Sequence, residues 1–219
     1  MGMFAQEPLL TSLRPADRAA LLAAGTGRNC EPGAVLMRQG DVEDFVVAIT
    51  AGWAVVRSDA SNGRSLILGL RGPGDLVGEL AVLDGRPRSA TVRALTVLEA
   101  RVLSGAEFRS FLRDHPPASV AVLRGMSLRM RQTDEHSQDL ATLPVLQRLA
   151  RLLIDIDRAG PGGAPAQRLT QHDLATAIGA TRESVAKALG DLRSRGVLGA
   201  GEPRLRIKDE AALVAIAEL

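Results

Sequence analysis

Leu169-Thr-Gln-His-Asp-Leu-Ala-Thr-Ala-Ile-Gly-Ala-Thr-Arg-Glu-Ser-Val-Ala-Lys-Ala-Leu189 reads as two short helices joined by a tight turn. Thr170 caps the first helix, with Asp173 three residues on, a near relative of the capping box. Ala175 is small where two helices cross closely, Gly179 makes the turn, and Val185 and Leu189 face back onto Leu174 and Ile178. Thr181 caps the second helix, so its exposed first turns carry Arg182, Glu183, Ser184 and Lys187. The pattern is that of a helix-turn-helix, although two-helix corners also serve as plain packing units. What favours DNA is the chemistry of the exposed set. Arg182 matches guanine O6/N7 bidentately, Glu183 accepts from a cytosine amine, and Lys187 reaches a guanine one turn on. The candidate DNA-contacting residues are Gln171, Thr181, Arg182, Glu183, Ser184 and Lys187.

Downstream, Gly196 stops the helix and residues 197–207 read as a hairpin wing with basic residues. Residues 168–208 hold eight Lys/Arg against four Asp/Glu, whereas residues 1–143 hold sixteen of each sign. A basic block beside a neutral one points to a polyanion partner, although basic helices also serve solubility alone. Upstream, residues 159–165 are too rich in Gly and Pro for regular structure. A helix over about 145–157 precedes them, and Pro144 makes a hinge.

The helix before that hinge runs from about Pro116 to Leu143. Leu123, Met126, Met130, Thr133, Ser137 and Leu140 step by 3, 4, 3, 4 and 3, which is a heptad seam for pairing with a second copy. A single amphipathic helix lying on its own barrel is the alternative. From Pro32 to Leu103 short β-rich runs at 46–50, 53–57, 65–70, 90–95 and 96–103 alternate with Gly-containing turns such as Asn62-Gly63 and Asp84-Gly85. That spacing predicts an all-β roll. Pro15 to Ala24 fits a short helix stopped by Gly25, and Ser104 with Glu107 opens another to about Arg113. The expected class is α+β, with an N-terminal jelly-roll-like domain, a long helix and a C-terminal winged helix-turn-helix.

Composition excludes several classes. Cys30 is the only cysteine, so no disulfide framework or cysteine-only metal cluster forms within one chain. His115, His136 and His172 lack ligand spacing, and with no Tyr and four Phe there is no base-stacking platform. No nucleophile–base pair or nucleotide-hydrolysis loop marks an enzyme. The start lacks a basic, apolar leader and no run reaches membrane-spanning length, so a cytoplasmic protein with no membrane, metal or cofactor is expected.

Taken with the helix-turn-helix, the stretch Gly78-Glu-Leu-Ala-Val-Leu-Asp-Gly-Arg-Pro-Arg-Ser-Ala-Thr-Val92 resembles the phosphate-binding cassette of the cyclic-AMP receptor protein family of bacterial regulators. The resemblance spans essentially the whole chain. It implies an effector-binding β-roll over 1–115, a dimerisation helix and hinge over 116–143, and a winged helix-turn-helix over 144–219. The chemistry of the cassette fits a cyclic phosphate diester. Arg88 offers a planar fork to its two free oxygens, Ser89 adds a hydroxyl, and backbone N–H groups around Gly78, Glu79 and Leu80 form an anion nest. Glu79, an acceptor only, suits a ribose 2′-OH. An internal Glu79–Arg88 ion pair is the alternative reading.

By resemblance, the base falls to Thr133 on the long helix and to the next residue of the partner subunit, here Asp134 where the best-known family member has serine. An aspartate accepts from an adenine amine and also from guanine N–H groups, so cyclic AMP and cyclic GMP both stay open. The resemblance further implies a homodimer on a palindromic operator with TGTGA-like half-sites, and a contact of the 158–168 loop with RNA polymerase. The rivals are an orphan regulator of the same fold, which needs no cyclic nucleotide or takes another metabolite, and a cyclic-nucleotide module acting through a partner protein.

Overall fold

The computed structural model describes residues 8–61, 63, 65–159, 168–199 and 205–219. The turn residue Asn62, nearly all of the Gly/Pro linker and 158–168 loop, and the tip of the wing at 200–204 therefore lie outside the described residues. Two compact units make up the chain, residues 8–130 and residues 131–219.

In the first unit, α1 (Leu9–Ser12) and α2 (Pro15–Ala24) precede eight strands. These are β1 (Thr26–Cys30), β2 (Val35–Met37), β3 (Phe45–Ala51), β4 (Ala54–Asp59), β5 (Ser65–Arg71), β6 (Leu76–Val77), β7 (Thr91–Ala94) and β8 (Leu98–Ser104). They form two antiparallel four-stranded sheets, ordered β1-β8-β3-β6 and β2-β7-β4-β5. A short helix, α3 (Glu79–Asp84), interrupts the roll between β6 and β7, and α4 (Gly105–Asp114) and α5 (Pro116–Thr142) follow it.

The pleat explains why β3 reads as an unbroken apolar run. Val47 and Ile49 pack between the sheets with Leu98 and Ala94, while Val46 and Ala48 face the helices, packing with Leu21, Phe108 and Phe111. Both faces are covered, so neither selects polar residues. The strands that sequence periodicity does not reveal are β1, β2 and β6. Two are only three and two residues long, and the third, Thr-Gly-Arg-Asn-Cys, exists because it pairs with β8 from Thr26↔Val102 to Cys30↔Leu98. The capping box that opens α4 is formed, with Glu107 N donating to Ser104 Oγ at 3.2 Å and Ser104 N to Glu107 Oε2 at 2.7 Å. A cap of this kind contributes about 1 kcal/mol.

Helix α5 is about 40 Å long. Ala118, Val122 and Met126 form a stripe on the core of the roll, so Met126 faces its own domain as well as the expected seam. Leu123 and Met130 are left 61% and 64% exposed. The reading of an amphipathic helix lying on its own roll thus describes the Ala118–Val122–Met126 face, while Leu123 and Met130 lie off that face.

In the second unit, the end of α5 is followed by α6 (Val145–Ala159), α7 (Gln171–Ala177), α8 (Arg182–Ser194) and α9 (Glu210–Ala217). Leu149, Leu153, Ile156, Leu174, Val185, Leu189, Leu192 and Leu213 are buried in it. Helix α9, not anticipated, is capped by Asp209, whose Oδ1 accepts from Ala212 N at 2.9 Å. The wing is described only at its base, where Leu198 pairs with Ile207.

Candidate functional site

Gly78 stands between β6 and α3 with φ +86°, a conformation that favours glycine. A side chain there is also excluded by space, since a Cβ would lie 2.6 Å from Arg88 Nη1 and 3.1 Å from the Phe45 carbonyl oxygen. Glycine caps α3 without a side-chain hydrogen bond. The backbone of Arg88 is clamped by Gly40 N donating to its carbonyl and by its own N–H donating to Asp41 O, each at 2.9 Å.

The Arg88 side chain is buried beneath this turn. Its Nη1 donates to Gly78 O at 2.8 Å and its Nη2 to Phe45 O at 2.7 Å, and its guanidinium carbon lies 4.5 Å from the Phe45 ring centre. Nε is buried without a partner. Burial pulls this guanidinium below its ordinary pKa, with the carboxylates of Glu43, Asp44 and Glu79 opposing. Ser89 is exposed and Leu80 half-exposed beside it.

Glu79 does not pair with Arg88. Its buried carboxylate takes the guanidinium of Arg129 on α5 instead. The internal Glu79–Arg88 bridge is thus overturned, because Arg88 turns to backbone carbonyls and the helix supplies the counter-charge. Arg71, at the end of β5, is buried too and donates to Leu70 O at 2.7 Å. Burial holds it below its ordinary value, with Asp75 opposing, while the nearby Arg129 adds to the lowering. Asp75 in turn is pushed up by burial, against the pull of Arg71 and of Gly72 N, which donates to its Oδ2 at 2.8 Å.

The cassette thus gathers Gly78, Glu79, Leu80, Arg88 and Ser89, and adds Phe45, Arg71, Asp75 and Arg129, which sequence reasoning missed. Arg71 shows in the sequence only as a charge closing an apolar strand run, and Arg129 as one of many arginines on a helix fifty residues downstream. Thr133 and Asp134 are exposed on the part of α5 that belongs to the second unit. The carbonyl of Thr133 accepts from Ser137 Oγ at 2.8 Å.

The helix-turn-helix is built by capping and packing. Thr170 Oγ1 accepts from Asp173 N at 3.1 Å while Asp173 Oδ2 accepts from Thr170 N at 2.8 Å. Gly179, with φ +60°, makes the turn, and a Cβ there would meet Leu140 Cδ2 at 3.0 Å. Thr181 Oγ1 then accepts from Ser184 N at 3.2 Å and opens α8. With Val185, Ala188, Leu189 and Leu192 buried, the opposite face of α8 presents Arg182, Glu183 and Lys187, all exposed, with Ser184 half-buried at its edge. Ala186 and Gly190 on the same exposed face are small, which leaves room for close approach. A hydrogen bond to its own backbone, then one from Thr181, holds the Glu183 carboxyl below the usual range, so it is ionised as an acceptor. Gln171 is half-buried at the first position of α7. Among the described residues no helix is long and apolar enough to cross a membrane, and no group of three or more His, Cys, Asp or Glu is gathered for a metal.

Comparison with known proteins agrees with this geometry. The cyclic nucleotide-binding domain family matches residues 27–115, and the Crp-like helix-turn-helix domain family matches residues 147–216. The chain is 30% identical over 199 residues to a CRP-like cAMP-activated global transcriptional regulator of Mycobacterium tuberculosis, covering 89% of each protein. It is 27% identical over 210 residues to the cyclic AMP receptor protein of Thermus thermophilus, covering 96% of each. Among solved structures, the c-di-GMP responsive global regulator CLP of Xanthomonas campestris shares the fold, with a TM-score of 0.78, 23% identity, and coverage of 90% of this chain and 100% of that one. The chain belongs to the CRP/FNR family of transcription regulators, with a cyclic nucleotide-binding β-roll and a Crp-like helix-turn-helix.

Proposed function

We propose that this regulator is a homodimer whose binding to a palindromic operator is controlled by a cyclic nucleotide, cyclic AMP first, held in the 78–89 cassette. The observation that carries this reading is Arg88. It is a buried fork beneath a glycine turn, its hydrogen bonds given to the neutral carbonyls of Gly78 and Phe45 and its Nε unmet. A cyclic phosphate is the stronger acceptor and draws charge-assisted bonds from such a fork. Ser89 and the N–H groups at the start of α3 complete the phosphate cradle, and Glu79 takes the ribose 2′-OH. Since Glu79 already holds Arg129, a ligand at the cassette competes for a residue of α5 and so acts on the dimer helix directly.

In this reading Thr133 and the partner subunit's Asp134 receive the base. The α5 seams pair the protomers and set the recognition helices about 34–36 Å apart. Arg182, Glu183 and Lys187 read G·C pairs of TGTGA-like half-sites, with Ser184 beside them on the recognition helix and Gln171 and Thr181 completing the DNA contact. The domain bounds 1–115, 116–143 and 144–219, a contact of the 158–168 loop with RNA polymerase, and a cytoplasmic location belong to the same proposal.

A rival reading, a regulator active without nucleotide, draws on the same contacts, because Arg88 and Glu79 already hold partners. Calorimetry with cyclic AMP and cyclic GMP separates the two. Saturable binding that Arg88→Ala abolishes supports the proposal, whereas operator binding with no nucleotide uptake supports the rival.

A further inference from the structure

Arg71 ends β5 inside the roll. It pairs with Ala54 of β4, which pairs in turn with Ala94 of β7. Residues opposite one another on paired strands point to the same face of the sheet. Ala54 and Ala94 belong to the core between the two sheets, so Arg71 is directed there as well. The alanine beside it, and Gly69 two residues before it on the same face, leave the long side chain room to enter.

A buried guanidinium ordinarily spends its donors on a carboxylate. Arg71 is 7% exposed, yet among the described residues it stands in no salt bridge, and its hydrogen bond goes to the neutral carbonyl of Leu70 at 2.7 Å. Arg88 Nε is sealed from water without a partner, a state that no nitrogen of Arg71 shares. The donors that Arg71 does not spend are therefore within reach of water, and of a ligand that replaces water in the site.

The charges around Arg71 give its place relative to the cassette. Glu79 acts on both Arg71 and Arg88. The other charged neighbours of Arg88 are Glu43, Asp44 and Asp41, on the loop that clamps its backbone, whereas those of Arg71 are Asp75 and Arg129. Glu79 thus stands between two guanidiniums. A nucleotide with its phosphate at Arg88 and its ribose at Glu79 brings its base towards Arg71.

Resting on that placement of phosphate and ribose, we propose that Arg71 reads the base and selects a 6-oxopurine, so that cyclic GMP stands ahead of cyclic AMP for this chain. A guanidinium only donates. A 6-oxopurine sets two acceptors, O6 and N7, side by side and takes the fork bidentately. Adenine sets an amine beside N7 and turns a donor against a donor. This refines the cassette reading at the base alone, and reverses the order in which it takes the two nucleotides.

The test is calorimetric titration of the full-length protein, and of its Arg71→Met and Arg71→Lys variants, with cyclic AMP, cyclic GMP and cyclic IMP. Cyclic IMP has the 6-oxo group without the 2-amino group of guanine, so it isolates the edge that Arg71 reads. Cyclic GMP and cyclic IMP are expected to bind about tenfold or more tighter than cyclic AMP. Arg71→Met abolishes that preference. Arg71→Lys, which keeps the buried charge but not the fork, weakens it, and serves if the methionine variant fails to fold. Cyclic AMP that binds wild type as tightly as cyclic IMP overturns the proposal. So does a preference that survives both substitutions, or a loss that falls on all three nucleotides alike, the mark of a merely structural arginine. Those results leave the cassette reading in place. Operator binding with no uptake of any nucleotide overturns the cassette reading, and this inference with it.

Discussion

The carboxylate of Glu79 on α3 is held by the guanidinium of Arg129 on α5, so the cassette of the β-roll is tied to the long helix that follows the roll. The Glu79 side chain is 6% exposed and that of Arg129 25%. Removing Arg129 leaves the Glu79 carboxylate buried without its hydrogen-bonded counter-charge. Arg129→Met is expected to destabilise the protein by about 3 kcal/mol, and the double variant Glu79→Gln with Arg129→Met to recover much of the loss. Urea denaturation of both singles and the double measures the coupling, and additive losses refute it.

The base-reading role proposed for Arg182 makes a second prediction. Arg182→Ala should lower the discrimination between operator and scrambled DNA by about 1–3 kcal/mol, with little change in fold because Arg182 is exposed. Competition binding at one fixed salt concentration gives the ratio directly. An unchanged ratio assigns Arg182 to the phosphates instead.

On α5, Leu123 and Met130 are more than half exposed and lie off the stripe that packs on the roll. Glutamate at both positions should leave the melting of the β-roll intact and shift the protein from dimer to monomer in sedimentation. A dimer that survives both changes pairs through another surface.

Asp17 makes the pH prediction. Its carboxylate takes Arg14 at 2.6 and 3.0 Å and His115 Nδ1 at 2.8 Å, which ties α2 to the α4–α5 junction. The hydrogen bond from Arg14, more than that from His115, holds its pKa below the usual value despite burial. A group depressed in the folded state stabilises above its unfolded pKa of about 3.9 and loses that contribution as pH falls through the folded value. Acid denaturation should therefore be shallower in Asp17→Asn than in wild type below about pH 4. Parallel curves for the two proteins argue against the pair.

Local rules account for the parts of this protein that were legible in advance. The capping boxes at Ser104 and Thr170, the stop at Gly25 and the turn at Gly179 depend on a few neighbouring residues, and each stands where its spacing put it. The unbroken apolar run of β3 survives because both its faces are covered, and the alternation of β8 and the buried face of α8 survive because one period matches one face. Gly78, Glu79 and Arg88 were legible as a motif within a dozen residues.

Contacts between distant segments were not legible. Strand β1 is polar and exists through its pairing with β8, Arg88 chose Phe45 O across 43 residues, and Glu79 chose Arg129 across 50. Arg71 and Asp75 joined the cassette only when the chain had folded. The sequence by itself determined the capped helices at Ser104, Thr170 and Thr181, the turns at Gly25 and Gly179, and which motif lies in each unit, since those are short-range free energies. Which charge neutralises which was decided by the tertiary structure, because burial makes an unpaired ion costly and the partner is whatever the fold brings near.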